Sequence, residues 1–142
     1  TGTVTVSEVA SEPVRKLTPE HQDAVDAVER GDLVGALAKF EKLVVEYPSD
    51  QEIKAGLAQV QLLHRLQNPV TETELDKLFA EADQILITGE ADAAFDLLLA
   101  KFAIDFDLRD QIRQRLLDLF TVTGDSHEAV LAARRKLASL MF

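Results

Sequence analysis

Three times in this chain a glycine is followed by an acid and, five residues after the glycine, by an alanine. The copies are Gly31-Asp32 with Ala36, Gly89-Glu90 with Ala94, and Gly124-Asp125 with Ala129. A glycine ends a helix cheaply because it accepts the left-handed backbone that closes the last turn. An acid next to it can cap the following helix. A small residue one turn further on lets the two helices cross closely. Three copies of one turn predict three helical hairpins, and hence an all-α fold of antiparallel hairpins forming a right-handed superhelix of about seven helices. The reading requires Ala94 to be fully buried at a crossing.

The elements follow in order. Residues 1–17 read as an extended linker: Thr3-Val4-Thr5-Val6 alternates like a strand but has none to pair with, and Glu12-Pro13 ends any helix. Thr18-Pro19 starts a first helix to Arg30, burying Ala24, Val25 and Val28. Asp32 caps a second to about Tyr47, with Leu33, Ala36, Leu37, Phe40, Leu43 and Val44 at helical spacing, and Pro48 ends it. Ser49 and Glu52 read as a capping box for a third helix to about Leu66, burying Ile53, Leu57, Val60, Leu63 and His64. Thr71 and Glu74 read as a second box, opening a helix with Leu75, Leu78, Phe79, Ala82, Ile85 and Leu86. The fifth helix, 91–104, is apolar nearly all round, which places it at the centre of the C-terminal half. Asp107 is expected to cap the sixth helix, with Ile112, Leu116, Leu119 and Phe120 buried. Asp125 or Ser126 is expected to cap the last. One repeat domain over 18–142 follows: a hairpin at 18–48, a bridging helix at 49–67, and hairpins at 71–106 and 107–142.

The charge balance narrows the function. The chain of 142 residues carries a net charge of −10, with 15 basic and 25 acidic residues. Residues 71–106 hold 2 basic and 9 acidic side chains, and residues 107–142 hold 6 and 5. An acidic chain without a basic stripe is a poor nucleic-acid binder. No apolar run reaches the roughly 20 residues of a membrane span. There is no Cys, hence no disulfide, thiolate nucleophile or Cys-bound metal. His21, His64 and His127 lack ligand spacing, and no serine sits in a nucleophile elbow. No catalytic, cofactor or metal site is expected, and a cytoplasmic setting fits this composition. The chain starts at Thr1 rather than Met, which leaves a preceding domain open.

The spacing resembles the tetratricopeptide pattern, a unit of about 34 residues with small residues at the helix crossing and Pro after the second helix. The first hairpin fits most completely, with Ala24, Gly31, Ala36, Phe40 and Pro48. The second keeps Ala82, Gly89, Ala94 and Leu98 but has Phe106 in place of Pro. The third keeps Gly124 and Ala129. A narrower resemblance rests on Phe95-Asp96-Leu97-Leu98-Leu99, on Arg113-Gln114-Arg115-Leu116-Leu117-Asp118-Leu119-Phe120 and on Arg134-Arg135-Lys136-Leu137-Ala138-Ser139-Leu140. It rests also on Gly56-Leu57-Ala58-Gln59-Val60-Gln61-Leu62-Leu63. These stretches are similar to the repeat half of the YbbN-type (CnoX) thioredoxin-like co-chaperones, especially their actinobacterial members. The resemblance covers about residues 20–142. It implies an upstream thioredoxin-like domain, a part in cell redox homeostasis through that domain, and binding of unfolded clients or chaperone machinery. The alternative is a structural or oligomerisation domain packed against that domain.

Two features of the last third carry candidate roles. Arg109 and Arg113 share a helix face and are expected to pair with the acidic middle, for example Asp96 or Asp105; the alternative is a basic docking patch near the C-terminus together with Arg134-Arg135-Lys136. The chain then ends on Arg134-Arg135-Lys136 followed by Leu137, Leu140, Met141 and Phe142. A repeat array normally finishes with a polar cap. An apolar, basic end instead suggests partner binding through Arg134, Arg135, Leu140, Met141 and Phe142. Leu137 is expected inside, with Leu140 and Phe142 at least partly exposed.

Overall fold

A computed structural model describes residues 17–142; of the linker expected over 1–17, residues 1–16 lie outside the described residues. Among the described residues there are seven α-helices and one short 3-10 turn, and no strand. They are α1 (Pro19–Glu29), α2 (Leu33–Glu46), α3 (Gln51–Gln67), α4 (Glu74–Ile87), α5 (Ala91–Ile104), α6 (Arg109–Thr123) and α7 (Glu128–Met141), with the 3-10 turn Phe106–Leu108 between α5 and α6. Gly31, Gly89 and Gly124 close α1, α4 and α6 at φ of 80°, 92° and 111°, a backbone region that disfavours any side chain. The alanines five residues on are buried, Ala36 and Ala94 completely.

Local capping differs from expectation at four helices. Asp50, not Ser49, caps α3 by accepting from the Ile53 amide. The capping box of α4 pairs Thr73 with Asp76, two residues beyond the Thr71–Glu74 pair. Both stretches hold overlapping capping candidates, and sequence spacing does not rank them. Asp107 lies within the 3-10 turn and does not cap α6, which starts at Arg109 without a side-chain cap. The imidazole Nδ1 of His127, rather than Asp125 or Ser126, accepts from the Ala129 amide and caps α7.

The core divides in two. Helices α1, α2 and α3 pack in succession around Ala24, Ala27, Ala36, Phe40, Leu43, Ile53 and Val60. A larger core gathers α4 to α7 around Phe95, Leu98, Phe102, Ile112, Leu116, Leu119 and Phe120. Helix α5 is its centre and packs against α4, α6, α7 and the 3-10 turn. Phe95 meets Phe120 edge-to-face, with ring centroids 4.9 Å apart.

Helices α6 and α7 do not form the hairpin expected over 107–142. Helix α7 packs mainly on α5, α6 packs equally on α3 and α5, and α6 and α7 make few contacts with each other. Helix α5 is apolar nearly all round, so it offers α7 a better surface than α6 does. Helix α3 lies against α2 and also against α6, linking the two cores. It therefore buries more than one face: Ala58 and Leu62 are inside, whereas Leu57, Leu63 and His64 are only half-buried. In α1 the buried residues are His21, Ala24 and Ala27, while Val25 and Val28 are half-buried.

Candidate functional site

Three surface features stand out. The first is a cleft between α1 and α3, floored by Phe40 of α2, with a volume of about 450 Å³. Its walls carry Leu17, Val25, Val28 and Val60, and Glu29 and Glu52 lie at its edge. Gly56 of α3 makes the close approach possible: a Cβ there would fall 2.5 Å from the Phe40 ring. His21 is buried edge-on to Phe40, with centroids 5.8 Å apart, and so belongs to the floor of this cleft. An apolar trough with an acidic edge can take an apolar side chain flanked by basic ones.

The second feature is the end of the molecule where α5, the 3-10 turn and α7 finish. Arg109 organises it. Its Nε donates to the Phe102 carbonyl at 2.9 Å and its Nη1 to the Leu140 carbonyl at 3.3 Å, so one guanidinium satisfies carbonyls in the last turns of two helices. The same group lies 4.5 Å over Phe102 and 4.0 Å over Phe106. Around it Ile104 and Phe106 are 76% and 72% exposed, and Phe142 is fully exposed. Met141 is also exposed, Leu140 is half-buried and Leu137 is buried.

The expected pairing of Arg109 and Arg113 with Asp96 or Asp105 does not occur. Lys136 holds Asp96 at 2.9 Å and Lys101 holds Asp105 at 3.6 Å. Arg113 only approaches Asp110, at 3.9 Å, and its Nε is buried without a partner. The expected basic group at the C-terminus also divides. Arg134 is paired with Asp125 at 3.1 Å and lies over the Phe120 ring, so its contacts are within the chain. Arg135 is exposed.

The third feature, which the sequence reading missed, is a polar junction of α3, α4 and α6. Asp83 of α4 is 2% exposed. Arg65 of α3 grips it with two parallel hydrogen bonds, Nε to Oδ2 at 2.9 Å and Nη2 to Oδ1 at 3.0 Å. Arg115 of α6 stands 3.8 Å from Oδ2, beyond hydrogen-bond reach, with its guanidinium 4.3 Å over the Phe79 ring. Burial pushes the Arg115 pKa down, and the charge of Arg65 adds to this. Beside it, loss of hydration raises the Asp118 pKa against the pull of Arg115 and Arg65. A crevice of about 190 Å³ opens over this junction, lined by both arginines, Asn68, Val70 and Phe79. In sequence Asp83 was one acid among 25, and the only available signal was an acid beside Ala82 on an otherwise apolar face.

The repeat positions fall in the core or at its turns. Ala24, Ala36, Phe40, Ala82, Ala94, Leu98 and Ala129 are buried, and Gly31, Gly89, Gly124 and Pro48 sit at helix ends. Among the described residues there is no cluster of His, Asp or Glu suited to a metal ion, and no helix is long and apolar enough to cross a membrane.

Such stacked helices, with small residues at the crossings and glycine turns between them, define a helical repeat protein. The family model described as "Tetratricopeptide repeat" matches residues 63–142, more than half of the chain, and the chain belongs to that family. The match covers the second and third copies, not the first hairpin in which the pattern is fullest. Among curated proteins the chain is similar to uncharacterized proteins of Mycobacterium bovis and Mycobacterium tuberculosis. Each is 29% identical over 143 residues, which covers 94% of this chain and 47% of the relative. The chain thus spans about half the length of the curated relatives it matches. No solved structure matches it.

Proposed function

We propose that this chain is the protein-binding half of a longer, cytoplasmic thioredoxin-like co-chaperone, and that it holds unfolded polypeptide segments in the cleft between α1 and α3. The cleft is the observation that carries the reading. It is apolar at its floor, open along one side and edged by Glu29 and Glu52, which suits an exposed apolar side chain with basic neighbours. Tetratricopeptide repeats are in general protein-interaction modules. The motif resemblance supplies the co-chaperone assignment. Relatives of twice the length leave room for the thioredoxin-like domain it implies. The test is suppression of aggregation of a heat-sensitive model protein. Val28→Glu should abolish suppression while the circular dichroism spectrum is kept; undiminished suppression would reject the cleft as the site.

A second reading rests on the apolar end face. Ile104, Phe106, Met141 and Phe142 together suit a neighbouring domain or chaperone subunit, with the half-buried Leu140 and the exposed Arg135 of the same terminal helix as further contacts. Removal of residues 139–142, or Phe142→Glu, should then abolish partner capture at an unchanged melting temperature. Retained capture would reject it.

A further inference from the structure

The junction of α3, α4 and α6 sets two arginines around one buried acid, and only Arg65 hydrogen-bonds it. Both carboxylate oxygens of Asp83 accept from Arg65. Asp76, which also lines the crevice, is held in the capping box, where its Oδ2 accepts from the Thr73 amide. Asp118, whose pKa is raised by loss of hydration against the pull of Arg115, makes no hydrogen bond with it. Arg115 is left with a side chain only 21% exposed, a long 3.8 Å approach to Asp83 and no acceptor at hydrogen-bond distance. A guanidinium has five N–H donors in a fixed plane, and holding one largely out of water without acceptors is costly. The Phe79 ring fixes that plane from one face, while the crevice gives access to the group.

We infer that Arg115 is a docking point for a carboxylate of a bound polypeptide. A carboxylate is planar and carries two acceptor oxygens that match the guanidinium fork. The volume, about 190 Å³, takes an acidic side chain or a chain end but little more. Val70, 59% exposed on the crevice wall, supports an apolar neighbour of the acid. The inference rests on the protein-binding reading and adds the partner's chemistry: an acidic residue beside an apolar one, engaged at a place separate from the α1–α3 cleft.

The experiment follows the Arg115 Nε–Hε resonance by nuclear magnetic resonance during titration of the whole chain. The probes are N-acetyl-Leu-Glu-Leu-amide, its Gln counterpart, the Gln peptide with a free C-terminal carboxylate, and inorganic phosphate. The Glu peptide should shift the resonance saturably and bind at least about tenfold more tightly than its amidated Gln counterpart. A response to the free-carboxylate peptide alone would assign the site to chain ends and support the inference equally. Arg115→Gln, followed on neighbouring amides, should lose that binding and keep its melting temperature; Arg115→Lys serves the same comparison if the Gln variant does not fold. Absence of a saturable shift would overturn the inference, as would equal binding of the amidated Gln peptide, phosphate binding as tight as the peptide's, or undiminished binding to the variants. Aggregation suppression by the unmodified chain keeps the outcomes apart. If the unmodified chain suppresses aggregation but does not bind the peptide, only the carboxylate site fails, whatever Arg115→Gln does. If the unmodified chain neither suppresses aggregation nor binds the peptide, the protein-binding reading fails too.

Discussion

The first hairpin and the α5 region use the same turn and reach different interiors. Around α2, the helices meet through Ala24, Ala27 and Ala36, and the buried rings are those of Phe40 and, edge-on to it, His21. Around α5, Phe95, Phe102 and Phe120 fill the space between four packed elements. The first region keeps the repeat pattern almost complete yet has the thinner core and an open cleft. The second has lost the closing Pro and gained the thicker core. A full motif therefore marks a regular crossing of two helices, not the place where most apolar surface is buried. Buried aromatic area sets the larger part of core stability.

That contrast can be broken by substitution. Phe120→Ala removes a fully buried ring in contact with Phe95 and should cost about 3–5 kcal/mol, read from denaturant midpoints. Hydrogen exchange should report the loss in α4 to α7 first; equal loss in α1 and α2 would mean that the two cores unfold as one. Asp83→Ala should cost nearly as much, about 3–5 kcal/mol, because it leaves Arg65 with no acceptor at the junction of α3, α4 and α6. A calorimetric scan that separates into two transitions would show that this pair couples the cores.

Smaller effects sharpen the comparison. Ala94→Leu should cost about 1–3 kcal/mol by overpacking the crossing of the second copy; a neutral result in urea melts would mean that this crossing can relax. In the first region Gly56→Ala sets a helix-propensity gain of about 1 kcal/mol against a clash with Phe40. Since Phe40 borders an open cleft, the ring can yield, and a net change within about 1 kcal/mol is expected by thermal denaturation.

The smallest effects depend on pH. The Lys39 hydrogen bond, 2.6 Å long, and the charge of Lys39 lower the Asp23 pKa. The pair's contribution is therefore present above the unfolded carboxyl pKa and lost as pH falls through the lowered folded value. Asp118 behaves oppositely: its raised folded pKa makes the charged form a burden that lifts as pH falls through that value. Asp118→Asn should accordingly be more stable than the parent at about pH 7, with the gap closing towards about pH 4. A gap that widens on acidification would reverse the assignment.

The sequence by itself determined the local design. Helix ends could be read because their causes lie within four residues: Gly31, Gly89 and Gly124 for the stops, Thr18 and Asp32 for the caps. The central place of α5 followed from its composition, and the buried Ala36 and Ala94 from their distance to a glycine. Where two capping candidates overlapped, as at Asp50, Thr73 and His127, geometry made the choice, and an imidazole cap is a rare solution.

Tertiary structure decided how the elements meet. Asp83 lies 18 residues from Arg65, and nothing local distinguishes it from solvated acids until three helices close over it. Arg109 and Leu140, 31 residues apart, meet because α7 settles on α5 rather than on α6. The reason is physical: a helix's period records which of its faces is apolar, but an all-round apolar helix such as α5 offers several faces. Which neighbour takes each face is settled by the collective packing of the whole chain.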